Sequence, residues 1–432
     1  MPRRRHPLVG DLPAYARDPI ALLERAAAEP GDVAELLVGR RTLLLKRTQD
    51  VGHVLAANHR NYEKTPRLTG PHGRRVVGDG LFSAANAGAL AQRRPVQPLF
   101  GRRALAIVEE RIAACADRVL GALPLGAPVD LEPHADRLAA SVAATVIFGP
   151  DVPPASEGGL AIRRAGHHRA MRSPVQLPGR LPLAVLPSRR RALRALDVAI
   201  AEQIRARRAA PGPDLISGLV EAGLGDGEVR AEALSLSIAG ISAVTQATAS
   251  ALRELARHPE VAERVREEVA GGGVEAGEAG EAVDARARLP YTEQVVMEAM
   301  RLHAPTPMIV RIAQRADRLP SGAAVRPGAK LIVSPHILHR DPALFPDPER
   351  FRPERFTLDA RRARTRWAYL PFGAGPRACV GRNLAMLEIV ITVARALARF
   401  ELEPAGDGSA IRLRAAAAAP VAATGRAYTR TP

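Results

Sequence analysis

A mainly α-helical chain with a small β region is the fold class this sequence predicts, and three observations carry it. Apolar residues recur at helical spacing over long stretches, the longest from Gly227 to His258. Strand-like runs are few; in the clearest, Val33 to Thr48, two β-rich runs flank Gly39 and Arg40 as a hairpin. Clusters of proline and glycine fall between the periodic stretches and punctuate them.

Taken in order, residues 1 to 30 are a proline-rich N-terminal segment with one short helix, about Pro19 to Ala28. After the hairpin, Asp50 to Asn58 reads as helical. Pro66 to Ser83, with four glycines and two prolines, reads as a long loop of the kind that often carries function. Helical patterns follow at about 104 to 121, 131 to 148 and 188 to 209. Met171 to Pro187 sets prolines among Leu and Val, which rules out one continuous helix. Gly227 to His258 carries charge mainly at its ends and small hydroxyls between, the pattern of a helix buried on most sides. Gly271 to Ala282 is a low-complexity acidic connection, and Asn383 to Phe400 is a proline-free helix. With no clean interdomain linker, residues 1–432 read as one domain.

The formal charge of +17 is almost all arginine, since Lys46, Lys64 and Lys330 are the only lysines. The arginines are dispersed, which argues against a nucleic-acid tract and leaves room for one basic face toward an acidic protein. Two distant cysteines, Cys115 and Cys379, suit a reducing compartment. No apolar run has the pattern of a signal peptide or the length of a membrane span, so a cytoplasmic protein is expected.

The chemistry concentrates in Phe372-Gly-Ala-Gly-Pro-Arg-Ala-Cys-Val-Gly381. Gly373, Gly375 and Pro376 predict a tight, rigid loop that ends at Cys379, just before a helix. Unpaired amides and the positive end of the helix dipole favour a thiolate there, and a thiolate can hold iron. An inert buried cysteine is the bland alternative. The spacing Phe-x-x-Gly-x-Arg-x-Cys-x-Gly, met at Phe372, Gly375, Arg377, Cys379 and Gly381, resembles the ligand loop of the cytochrome P450 superfamily, in particular its soluble bacterial-type haem-thiolate monooxygenases.

That resemblance runs from about residue 33 to the C-terminus and implies the P450 fold, with haem b between the long central helix and the cysteine loop. It gives Cys379 as axial thiolate, Phe372 and Gly373 as loop residues against the haem, and Ala239-Gly240 as the point of close approach on the long helix. Arg93, Arg311 and Arg377 are implied as propionate ligands, with His336 on the same edge; Ala89 stands where an aromatic partner of Arg93 is expected. Glu298-Ala-Met-Arg301 matches the family's Glu-x-x-Arg helix, and Arg355 matches the third member of that structural cluster. Met171 to Pro187 corresponds to the lid over the substrate entrance. Phe82, Met308 and Ile309 are the expected lining of an apolar substrate pocket. Since the chain has no flavin or iron–sulfur motif, a ferredoxin and ferredoxin reductase are the expected electron donors to a monomer.

One departure bears on catalysis. Where most monooxygenases of the family carry an acid and an alcohol that help deliver protons to dioxygen, this chain reads Ser242 and Ala243. Thr245 is two positions on, about 200° around the helix, and does not replace them. Ser242 and Gln246, an i,i+4 pair, are the candidate relay. Three readings stay open: an oxygenase of a terpenoid or polyketide intermediate with protons from water or substrate, a peroxide-driven oxidation or rearrangement on the same fold, and a non-enzymatic basic binding protein that would leave Phe372 to Gly381 unexplained.

Overall fold

The structure, a computed structural model, describes residues 6, 9–71, 74, 78–149, 160, 187–273, 285–406 and 410–416. In chain order its α-helices are α1 Leu12–Arg17, α2 Pro19–Ala27, α3 Thr48–Gly52, α4 Pro66–Thr69, α5 Asn86–Val96, α6 Arg102–Gly121, α7 Leu131–Phe148, α8 Pro187–Ala209, α9 Leu215–Glu221, α10 Asp226–Arg257, α11 Pro259–Glu268, α12 Ala285–Arg288, α13 Pro290–Leu302, α14 Pro335–Leu338, α15 Leu358–Ala363 and α16 Arg382–Arg399. The strands are β1 Val33–Leu37, β2 Arg41–Leu45, β3 Tyr62–Glu63, β4 Pro128–Val129, β5 Ile309–Ala313, β6 Asp317–Arg318, β7 Ala324–Val325, β8 Lys330–Val333, β9 Phe400–Ala405 and β10 Ala410–Ala415.

The 32-residue α10 is the axis of the helical part. Its start is fixed by Glu228, whose carboxylate accepts from the Gly225 amide at 2.9 Å, and it stops at His258, where Pro259 cannot continue the ladder. Helix α7 begins at Asp130, which accepts from the Glu132 amide, and ends at Gly149 with φ 96°. The buried faces of α6, α7, α9, α10, α13 and α16 merge into one core of Leu, Val, Ile and Ala, in which Cys115 is buried.

The larger sheet has the order β1-β2-β8-β5-β3. The β1–β2 hairpin pairs Val33 with Leu45, and β2 then runs parallel to β8, Thr42 opposite Lys330. Side chains of β5 alternate, so Ile309 and Ala313 join the apolar layer with Leu331 and Leu370. Met308, just before the strand, and Val310 point to the opposite layer with Leu22, Leu23 and Leu44. Strands β4, β10 and β9 form a second sheet, and β6 and β7 pair separately.

Two expectations change in detail. The N-terminal segment holds α1 as well as α2, because Asp11 accepts from the Leu37 amide at 2.8 Å and ties it to the hairpin. The Pro66–Ser83 stretch opens with α4 instead of being loop throughout. Met171 to Pro187 lies outside the described residues except for Pro187, which opens α8, and so does the acidic connection beyond residue 273.

Candidate active site

The Phe372–Gly381 loop is closed by its own backbone. The Cys379 amide donates to the Phe372 carbonyl at 2.9 Å and the Ala378 amide to Gly375 at 3.0 Å. Gly373 and Gly375 take φ values of 68° and 70°, and a Cβ at Gly375 would run into the Leu55 carbonyl. Cys379 is solvent-accessible although protein surrounds it. Burial pushes its thiol up, opposed by the Gly381 amide and by Arg93 and Arg382. The helix end alone therefore does not make it a thiolate; a bound metal cation would.

Helix α10 is buried along most of its length, with Ile238, Ile241, Val244, Thr245 and Ala247 inside the core. Along its middle a partly accessible face is left: Leu236, Ala239, Gly240, Ser242, Ala243 and Gln246. A Cβ on Gly240 would meet nothing within 4 Å. Thr245 faces elsewhere, its hydroxyl donating to the Ile241 carbonyl at 2.8 Å and reaching Asp136 of α7 at 3.4 Å. Ser242 and Gln246 thus share the accessible face, while Thr245 serves the α7 contact.

A third wall is cationic. Arg377 donates to Glu63 at 3.1 Å, to Asn86 and to the Ala84 carbonyl. Arg311, on the Ile309 face of β5, has the Val310 carbonyl at 2.9 Å. Lys64 donates to the Phe82 carbonyl at 2.6 Å and to Leu81 at 3.4 Å. Burial, then repulsion from Arg377 and Arg311, pushes Lys64 down to about 7. Arg311 falls to about 10 through burial and Arg377, with Glu63 opposing. Three crowded cations around one carboxylate make a site that still calls for anions. Sequence reasoning missed Lys64; its rarity in an arginine-rich chain was the available signal.

Arg93 lies on the cysteine side, donating to the Ala378 carbonyl at 2.6 Å and to Gln97 at 3.0 Å, while Ala89 is buried. Arg301 grips Glu298 with two hydrogen bonds of 2.8 and 3.0 Å, both side chains fully buried. Arg355 approaches the same carboxylate at 3.3 Å, and the Arg352 amide donates to it at 2.8 Å. Arg301 also donates to the carbonyls of His339 and Arg350, so this cluster ties α13 to the two segments leading to the cysteine loop.

Two expected site residues lie elsewhere. His336, expected on the propionate edge, pairs with Glu24 of α2 at 2.8 Å and with Arg340 at 3.2 Å, because α14 presents it to the N-terminal helix. Met308, expected in the pocket, packs against the Leu22–Leu44 layer, since strand alternation sends it to the face opposite Ile309. Ile309 remains by the loop, 3.7 Å from a Cβ built on Gly373.

Among the described residues no group of three or more His, Cys, Asp and Glu side chains could hold a metal ion. A flat macrocycle fits: an accessible cysteine, small accessible residues on the central helix, and cations for two carboxylates. A family model described as cytochrome P450 matches residues 1–415. The chain belongs to the cytochrome P450 family.

The P450 is 30% identical over 422 residues to "Cyclooctatin synthase" of Streptomyces melanosporofaciens, covering 94% of this chain and 90% of that one. It is likewise 30% identical to "Cyclooctat-9-en-7-ol 5-monooxygenase" of the same organism, covering 92% and 88%. The crystal structure of the haem domain of a cytochrome P450DA mutant shares its fold with a TM-score of 0.81 at 24% identity, covering 96% of this chain and 97% of the other. As a P450 the protein is a haem-thiolate monooxygenase, with Cys379 in the place of the iron's thiolate ligand. Haem, when bound, supplies the activation of dioxygen, and the protein supplies binding, orientation and electrostatics. No described helix is long and apolar enough to cross a membrane.

Proposed function

We propose that this P450 inserts one oxygen atom into an apolar small molecule of terpenoid or polyketide type. The observation that carries this reading is the solvent-accessible Cys379 in its glycine-built loop, in a chain whose buried central helix leaves the small residues Ala239, Gly240 and Ala243 accessible. The similarity to two Streptomyces enzymes, one named as a monooxygenase of cyclooctat-9-en-7-ol, supports the substrate class.

In this reading Cys379 holds the iron, with Phe372, Gly373, Ala239 and Gly240 against the macrocycle. Arg93, Arg311 and Arg377 take the carboxylates, joined by Lys64; Phe82 and Ile309 line the pocket. Ser242 and Gln246 relay protons from water. Glu298, Arg301 and Arg355 hold the loop from behind. Residues 1–432 act as one haem-thiolate domain, monomeric and cytoplasmic. Electrons come from a ferredoxin and its reductase, whose acidic docking surface fits exposed Arg94 and Arg382 near the loop.

The test is the spectrum of the reduced protein under carbon monoxide. A thiolate-type maximum that is lost in Cys379→Ala supports the reading, and a histidine-type maximum overturns it. Ala243 where an alcohol is usual favours a second reading, oxidation driven by peroxide. Product formed from hydrogen peroxide with no electron donor would establish it; strict dependence on donor and dioxygen would exclude it. For the first reading, Ala243→Thr changes the coupling of electron use to product only modestly.

A further inference from the structure

The accessible face of α10 continues toward the helix N-terminus, where it is covered. Glu232, Ser235, Ala239, Ser242 and Gln246 follow one another at spacings of three and four, hence on one face. The segment Gly78–Ser83 covers the first two. The Leu81 amide donates to both carboxylate oxygens of Glu232 at 3.0 Å, and the Phe82 amide donates to the Ser235 hydroxyl at 3.0 Å. Glu232 and Ser235 are both buried, so these are interior contacts.

The segment is shaped for this approach. Gly78, at φ 78°, would place a Cβ 3.2 Å from the Ala231 carbonyl. At Gly80 a Cβ would come within 2.7 Å of the Ala231 carbonyl and of Ser235 Cβ, and within 2.9 Å of Glu232. Only glycine lets the backbone lie so close to the helix. Buried Ser83 donates to the Gly78 carbonyl at 2.7 Å and so folds the segment on itself. On the other side Lys64 takes the carbonyls of Leu81 and Phe82. All four backbone polar groups of Leu81 and Phe82 are therefore fixed, the amides by α10 and the carbonyls by the cationic wall. Phe82 is held between them, its ring 5.7 Å from the Lys64 ammonium.

We propose that Glu232 and Ser235 are positioning residues: they hold the Leu81–Phe82 backbone against the central helix so that Phe82 forms a wall of the chamber over Cys379 and sets which apolar ligands fit there. This rests on the haem-thiolate reading. The carboxylate of Glu232 is spent on a loop amide, too far along the helix from Ser242, about 15 Å by its rise per residue, to serve a reacting atom.

The test uses the haem-loaded full chain and two azoles that ligate iron, imidazole and 4-phenylimidazole, followed by the shift of the haem absorption band. In Glu232→Ala the affinity for imidazole stays within about twofold, while that for 4-phenylimidazole, whose ring needs the wall, weakens at least about fivefold. Phe82→Ala does the same, and the double variant adds little because both changes remove one wall. Glu232→Gln, which keeps an acceptor for the Leu81 amide, restores wild-type discrimination. In Ser235→Ala the Phe82 amide exchanges hydrogen faster than in wild type. Unchanged discrimination in folded Glu232→Ala and Ser235→Ala, or equal weakening of both azoles, overturns the proposal. A wild-type protein whose reduced carbon monoxide complex lacks the thiolate signature overturns the haem-thiolate reading itself, and is recognised before any azole is added.

Discussion

Lys64 shows how one buried charge reports on the site. Unfolded, its ammonium keeps its proton to about 10.5; folded, burial and two neighbouring guanidiniums lower that to about 7. Between those values the unfolded chain binds more protons, so the group's contribution to stability is complete above about 10.5 and is lost as pH falls through about 7. The haem-free protein should therefore gain melting temperature with rising pH over that window, and Lys64→Met should flatten the rise. Haem should flatten it too, because its carboxylates give the ammonium partners; an equal slope with and without haem would contradict the placement of the carboxylates. Arg311→Met should weaken haem retention about tenfold by removing a charge-assisted contact, measured by transfer of haem to an acceptor protein.

At the scale of elements, the cysteine loop and the α13 cluster behave as one support. Glu298→Gln leaves Arg301 buried with half its partner and should destabilise the fold by about 3–5 kcal/mol, read by denaturant unfolding. Gly375→Ala should leave helix content intact and abolish haem loading, since the backbone is left-handed there and faces the Leu55 carbonyl. The parts most legible from sequence were those fixed by local rules. The hairpin, α7, α10 and α16 follow from period and punctuation, and the loop follows from a dense motif. Met308 and His336 were harder because their neighbours come from the N-terminal helix and sheet, far away in the chain. Strand alternation alone would have separated Met308 from Ile309, had the strand been taken to start at residue 309.

For the whole molecule, the charge of +17 matters most at long range. If an acidic ferredoxin is the donor, the second-order rate of reduction should fall steeply as ionic strength rises, and reversal of Arg94 and Arg382 to Glu should remove most of that dependence. A salt-independent rate would dismiss the docking face. The Cys379 motif made the family legible and with it Arg311 and Arg377, whereas Lys64 was not, because it comes from a separate segment that carries no motif and meets the two arginines only in the folded chain.

The parallel register of β2 with β8 has a consequence for biosynthesis. Thr42 to Leu45 leave the ribosome early, yet their hydrogen-bonding neighbours at Lys330 to Val333 are made only after most of the polypeptide. Until then the hairpin exposes an unpaired apolar edge. A nascent chain arrested before residue 330 should therefore recruit holding chaperones and take up no cofactor, whatever its helices have already formed.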